Sequence, residues 1–441
     1  MKETILQFGT GKFLRAFADA FVDTLGKQGL YDGNIVIVSP TDSKTVETIN
    51  AQGGAYHLML RGIENGREIC ETTKITSVSR AVNPYRDFDA FLGLAKNPDL
   101  RFVISNTTEA GICYEPACAF GDRPASSFPG KLTQFLFERY RLRLGGLVIL
   151  ACELIEDNGR ALKACVLRYA EQWELGEDFL SWLNAEVRFC GTLVDRIVTG
   201  FPEAEAEALF AALGCRDALL DTAEPYHLWV IEGNFENELP LQKGGCNVIW
   251  TDDVAPYKKM KVRILNGSHT SLVFPSLLCG VESVGESLDD TLLNAYLHTC
   301  LFGYILPTLG ETEENRQFAE AVLERFRNPY IRHLWRSISL NSVSKFTARV
   351  LPTVTEYLHT HAAPPRPLVF SLACLLRYYR ENDPTDSAEA VDFIKTHDVP
   401  AILSNAGLWG CDLSGLTKAV EESLAQMERE GIREAIRWSM S

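Results

Sequence analysis

The sequence has no Cys-x-x-Cys pair, no His-Glu-x-x-His, no calcium-loop pattern and no Gly-x-Ser-x-Gly. His359 and His361 have no evident third ligand, so no catalytic metal is expected. Without the serine elbow, hydrolase chemistry lacks its usual nucleophile. Gly11-Lys12 lacks both the preceding spacing and the following Ser or Thr of a Walker loop. Positive charge is scarce too: 43 Lys and Arg against 58 Asp and Glu leave a net charge of -15. Such a surface repels phosphate backbones and anionic membranes, so neither nucleic acid nor a membrane is an expected partner. An acidic small molecule would be repelled as well, unless a local cluster of cations receives it. Long apolar runs are missing, and stretches such as Ser271 to Gly280 fall far short of a membrane span. No cationic segment followed by an apolar one opens the chain, so no export signal is expected.

What is present is an ordinary globular mixture, 46% hydrophobic and 23% charged over 441 residues, long enough for two domains or three. Twelve cysteines are scattered singly, several in apolar runs such as Ala164 to Leu167. Buried, reduced thiols of that kind fit a cytoplasmic protein. The amino-terminal half alternates short β-rich runs with helical stretches, the pattern of an α/β fold with a Rossmann-type doubly wound parallel sheet. Thr4 to Phe8, Asn34 to Val38, Arg101 to Ser105 and Gly146 to Ala151 read as strands, and Phe13 to Lys27 as one helix. Beyond about residue 258 helical periodicity dominates, as in 289–306, 313–326 and 416–437. The expected division is therefore a dinucleotide-binding domain over 1–254 and a mainly helical catalytic domain over 255–441. Oligomeric state is not encoded in any pattern of this kind.

Gly9-Thr10-Gly11 directly follows the first strand and opens the first helix. A dinucleotide fold needs glycines there, one for the tight turn and one for close approach of a pyrophosphate. The usual third glycine is replaced by Leu14. A bare Gly-x-Gly is weak evidence, and its strand-turn-helix setting is what favours a cofactor site. The nearest carboxylate after the second strand is Asp42, late and followed by Lys44, which leaves NAD and NADP unseparated.

Lys261-Val-Arg-Ile-Leu-Asn266-Gly-Ser-His269 is the most informative stretch. On a regular α-helix His269 lies about 80° and Asn266 about 140° from Lys261, within one broad face. Hydride transfer to a ketone needs a proton donor and a hydrogen bond to the developing alkoxide. A lysine whose pKa falls from ~10.4 toward neutrality can be the acid. An asparagine can hold the oxyanion, and a histidine can orient either. The plain alternative is a surface lysine, a capping asparagine and a satisfied histidine. Against it, Asn266 and Gly267 are poor helix formers inside an apolar run, a local inconsistency that marks functional sites.

This Lys-x4-Asn-x2-His pattern resembles the catalytic signature of the long-chain mannitol dehydrogenase family. Ser105 to Ile112, Phe189 to Gly200 and Arg325 to Tyr330 match as well. The setting Ile264 to Val273 is similar to the tagaturonate-reducing branch of that family. The resemblance implies an NAD-dependent oxidoreductase interconverting D-tagaturonate and D-altronate. In it Lys261 is the acid/base, Asn266 the oxyanion contact and His269 the orienting residue. Asp195 and Lys345 would hold the sugar acid; Gly9, Thr10, Gly11, Phe13, Leu14, Asn106 and Glu109 would line the cofactor site. Asp195 has the alternative of pairing with Arg196, and Lys345 and Glu109 that of solvated surface charge. Two departures stand out. The family's Cys-Asp-Asn reads Cys152-Glu153-Leu154 here, leaving the amide's work to Asn266 or Asn158; the arginine eight positions before the pocket lysine is Ser337. Arg15, Arg61, Arg349 and Lys345 are the candidates for a substrate carboxylate. Other readings are a fructuronate or mannitol oxidoreductase, or a dinucleotide sensor without turnover.

Overall fold

Six short apolar runs pair side by side into one fully parallel sheet: β1 (Glu3–Phe8), β2 (Asn34–Val38), β5 (Val78–Val82), β6 (Phe102–Ser105), β7 (Val148–Ala151) and β8 (Arg188–Cys190). The computed structural model describes residues 2–441. Strand order is β5-β2-β1-β6-β7-β8. Strands β2, β6 and β7 are apolar at nearly every position because both faces are covered. Alternate residues serve separate cores. Ile5, Ile35, Ile37, Ile104 and Leu150 join one, whereas Leu6, Phe8, Val36, Val103 and Ile149 join the other. The order reverses between β1 and β6, and the crevice outside the carboxyl ends there is where such sheets take ligands.

Two three-stranded sheets complete this part. One is β10 (Asp221–Ala223), β3 (Tyr56–Glu64) and β4 (Arg67–Ile75). The other is β12 (Val248–Thr251), β11 (Leu228–Glu232) and β9 (Thr192–Asp195). The chain divides into two compact units, 1–61 with 68–255, and 62–67 with 256–441. The tip of the β3–β4 hairpin thus belongs to the second unit, where Glu324 accepts the amides of Asn65 and Gly66 at 3.2 and 2.7 Å.

The second unit is helical. The run Thr291–Leu309 spans 19 residues, longer and more apolar than the sequence reading allowed. It is a core element, with Leu293, Tyr296, Leu297, Cys300, Leu301 and Ile305 buried. All twelve cysteines are free thiols.

The helix expected over Phe13 to Lys27 is interrupted. It runs Lys12–Arg15 and then Ala18–Lys27, with Phe17 in non-helical conformation between them. Side chains take up the carbonyls at the break: Tyr56 donates to the Arg15 oxygen at 2.7 Å and Arg196 to that of Ala16 at 2.7 Å. Phe17, freed from the helix, is buried against Phe13, Phe21 and Trp229.

Candidate active site

Gly9 leaves β1 with φ +135, a conformation that glycine adopts freely. A Cβ there would stand 2.8 Å from the Asn106 carbonyl oxygen. Around Gly11, by contrast, a Cβ would meet nothing within 4 Å. One glycine is required by the turn and the other leaves open space above it, which is what an approaching pyrophosphate needs. The residues at the switch point therefore fit a dinucleotide. Leu14, in place of a third glycine, is buried beneath the turn with its Cδ1 near Gly9. Phe13 is half-buried and stacks on Phe17 at 5.0 Å. Asn106 continues β6, donating its amide to Phe8 and its side chain to the Cys152 carbonyl at 2.7 Å. Glu109 is exposed in the following turn, beside Thr108 at φ +102.

Sequence reasoning missed how this turn is held. Arg15, buried, donates to the Thr10 carbonyl at 2.7 Å and lies 3.4 Å from Asp221. Asp19 lies beside it and accepts from Tyr56 at 3.3 Å. Burial pushes the Asp19 carboxyl up to about 7, against the pull of Arg15, and does the same to Asp221. Lys12 Nζ reaches the Thr199 carbonyl at 3.1 Å, so the strand-to-loop segment after β9 grips the same short helix.

The raised carboxyls carry a stability prediction. A folded-state pKa above the unfolded value near 4 means the folded chain holds the proton more tightly. The stabilisation is complete below pH ~4 and lost as pH rises through about 7. Asp19→Asn keeps the shape and removes the titration. The melting temperature of the variant at pH 8 should exceed that of the parent, with a shallower decline from pH 5 to 8. Equal slopes in calorimetry would contradict this.

Glu153, in the departing Cys-Glu-Leu segment, is buried and raised by that burial. It accepts from Ser105 at 3.0 Å and from the Thr107 amide and hydroxyl at 3.1 and 3.0 Å. It ties the ends of β6 and β7 together at the crevice. Asn158 cannot take over an oxyanion contact. Its amide already donates to the Glu153 and Thr192 carbonyls, and its oxygen accepts from Gly159 and Thr192, all within 3.0 Å. Asp195 ends β9 and is buried; Arg196 sends its guanidinium to the carbonyls of Ala16, Glu224 and Pro225.

In the helical unit the Lys261-to-His269 stretch departs from a regular α-helix. An α-helix ends at Lys261, a π turn spans Val262–Asn266, and an α-helix resumes over Gly267–Leu278. A π turn takes in one residue more than an α turn, so the phase beyond it falls back by about 100°. His269 then lies about 20° and Asn266 about 40° from Lys261, on a narrower stripe than the sequence reading assumed. Burial agrees: Lys261, Asn266 and His269 are half-buried while Arg263, Ile264, Leu265, Gly267 and Ser268 are buried. A Cβ on Gly267 would lie 3.1 Å from the Arg349 carbonyl oxygen, so close helix packing explains this glycine. Arg263 anchors the turn through Glu356 at 3.2 and 2.9 Å and Thr353 at 2.7 Å. The His269 ring stacks on Phe326 at 4.1 Å and meets Trp335 edge-on at 6.1 Å. Phe326 sits in the Arg325-to-Tyr330 motif, whose local signal gave it no role. Lys345, half-buried, donates to the Ile338 carbonyl at 2.8 Å; burial, then Arg349, lower its pKa.

A doubly wound parallel sheet with a glycine turn at its switch point, followed by a helical unit carrying a lysine-asparagine-histidine stripe, defines a nicotinamide-dinucleotide oxidoreductase. Residues 3–243 match the mannitol dehydrogenase Rossmann domain and 253–429 the mannitol dehydrogenase C-terminal domain. The chain belongs to the mannitol dehydrogenase family. It is 42% identical to an altronate oxidoreductase of Klebsiella pneumoniae, covering 99% of this chain and 96% of that one. An altronate oxidoreductase of Pectobacterium carotovorum is 44% identical over 99% and 90%. Among solved structures, a D-sorbitol dehydrogenase aligns with TM-score 0.87 at 24% identity, over 99% and 95% of the two chains. A Pseudomonas fluorescens mannitol 2-dehydrogenase, in complex with NAD and D-mannitol, gives 0.73 at 22%, over 99% and 94%. These two show the shared fold.

Proposed function

We propose that the protein is an NAD-dependent oxidoreductase interconverting D-tagaturonate and D-altronate in a reducing, cytoplasmic setting. The observation that carries this is the stripe of Lys261, Asn266 and His269 across a π turn, in a chain over 40% identical to altronate oxidoreductases along nearly its whole length. π turns concentrate at functional sites, where they re-aim side chains. Gly9, Thr10, Gly11, Leu14 and Asn106 hold the dinucleotide turn, with Phe13 and Glu109 at its margins. Bound NADH supplies the hydride that reduces the ketone carbon. Lys261 gives a proton from Nζ to the ketone oxygen and recovers it from solvent. Asn266 donates a hydrogen bond to that oxygen as negative charge develops, and His269, fixed against Phe326, orients the lysine. Asp195 and Lys345 bind sugar hydroxyls. Asp42, held after β2 by Asn83 at 2.9 Å and paired with Arg86 at 3.0 Å, is the carboxylate we place against the ribose 2′-hydroxyl of NAD.

The test is a spectrophotometric panel of NADH or NADPH with tagaturonate, fructuronate and fructose. The proposal expects rapid NADH consumption with tagaturonate and slow reaction elsewhere. Preference for fructuronate or fructose would reassign the substrate; NADH binding without any turnover would make the protein a sensor.

A further inference from the structure

An acidic protein that takes a sugar acid needs a cation held back for it, and four arginines and lysines competed for that role on sequence alone. The structure separates them. Arg15 is committed to Thr10 and Asp221 and Arg61 to Glu205 at 2.6 Å, while Lys345 spends one of its three donors on the Ile338 carbonyl. Arg349 differs. It is half-buried, and among the described residues no carboxylate and no hydrogen-bond acceptor engages its guanidinium. Burial alone lowers its pKa, with no acid nearby to oppose it. A half-buried guanidinium without an anion is an unfavourable arrangement for the free protein, and one that a bound carboxylate would relieve.

Its position is equally specific. Arg349 closes the helix Ser342–Arg349, one turn after Lys345, and that helix packs on both the π turn Val262–Asn266 and the helix Gly267–Leu278. The Arg349 carbonyl oxygen lies 3.1 Å from where a Gly267 Cβ would stand, one residue past Asn266. A cation without a partner is thus built into the element that buttresses the reacting stripe. We infer that Arg349 is the residue that binds the substrate carboxylate and selects sugar acids over neutral ketoses. The inference rests on the sugar-acid reading proposed above. A guanidinium can take both carboxylate oxygens at once, which a lysine cannot, so the pair is directional as well as attractive. Lys345, one turn away on the same helix, is left for hydroxyl groups.

Arg349→Gln and Arg349→Lys test this against two ketones, tagaturonate and the neutral ketohexose D-tagatose. Arg349→Gln should lower kcat/KM for tagaturonate on the order of 100-fold, mainly through KM, as expected when one side of a half-buried charge pair is removed. Arg349→Lys should recover part of that loss by keeping the charge without the fork. Activity toward D-tagatose and the dissociation constant of NADH, read by fluorescence, should stay within about twofold, which also reports an intact fold. Parallel losses on both ketones, or an unchanged KM for tagaturonate in Arg349→Gln, would overturn the assignment. If the parent enzyme itself prefers D-tagatose, the sugar-acid reading fails, whatever the variants do.

Discussion

Lys261→Met should lower turnover on the order of 1,000-fold while NADH binding and melting temperature stay near those of the parent. Methionine keeps the length and most of the apolar stem, so the packing beside the π turn survives. What disappears, in the proposed mechanism, is the proton donor. The ketone oxygen would have to take its proton from water, and the contribution of positioned acid catalysis is lost. Lys261→Arg separates two meanings of the lysine. An arginine retains positive charge but does not release a proton near neutrality. If Lys261 acts by donating a proton, Lys261→Arg is nearly as slow as Lys261→Met, and added alkylamines restore part of the Lys261→Met rate. If it acts only as a charge against the developing alkoxide, Lys261→Arg stays active. Stopped-flow traces of NADH oxidation at saturating tagaturonate distinguish the two, and an active Lys261→Arg enzyme would end the proton-donor assignment.

The strands were legible because a parallel sheet covered on both faces writes near-continuous apolar runs, and Asn34 to Val38 was read to the residue. Gly9 was legible for a similar reason: a positive φ between a strand and a helix leaves glycine as the natural occupant. Tertiary partners decided the rest. The break at Ala16 and Phe17 depends on Tyr56 and Arg196 satisfying two carbonyls from far along the chain. Helical periodicity over Phe13 to Lys27 continues straight through it. The split near Gly431, with φ +80, has a local signal in that glycine, although helical periodicity over 416–437 runs straight through it. The hairpin tip 62–67 joins the helical unit through backbone amides on Glu324, which no side-chain pattern announces. At the candidate site the partners were not readable from the sequence. Arg263, placed between apolar neighbours, gave no hint of Glu356 more than ninety positions on. The four candidate cations look alike in sequence, and only the fold shows that Arg15 and Arg61 have acid partners.

Asn266 carries the second large effect. It ends the π turn, half-buried, where the helix phase has fallen back toward Lys261. With the family's other amide replaced by Leu154, and Asn158 fully engaged by backbone groups, Asn266 is, in the proposed mechanism, the amide left to meet the reacting oxygen. A neutral donor is suited to that task because its interaction strengthens as the ketone becomes an alkoxide and needs no change of protonation. Asn266→Leu should therefore lower kcat by about 10² to 10³ with a modest change in KM, the loss expected for one oxyanion donor. Asn266→Asp should be worse still, because a carboxylate of the same shape cannot donate and repels the forming alkoxide. Both variants should bind NADH as the parent does, since the residue lies in the helical unit and away from the Gly9 turn in sequence. A steady-state kcat within threefold of the parent in Asn266→Leu would show that the reacting oxygen is held by another group. The narrowing of the stripe by the π turn would then need a different purpose.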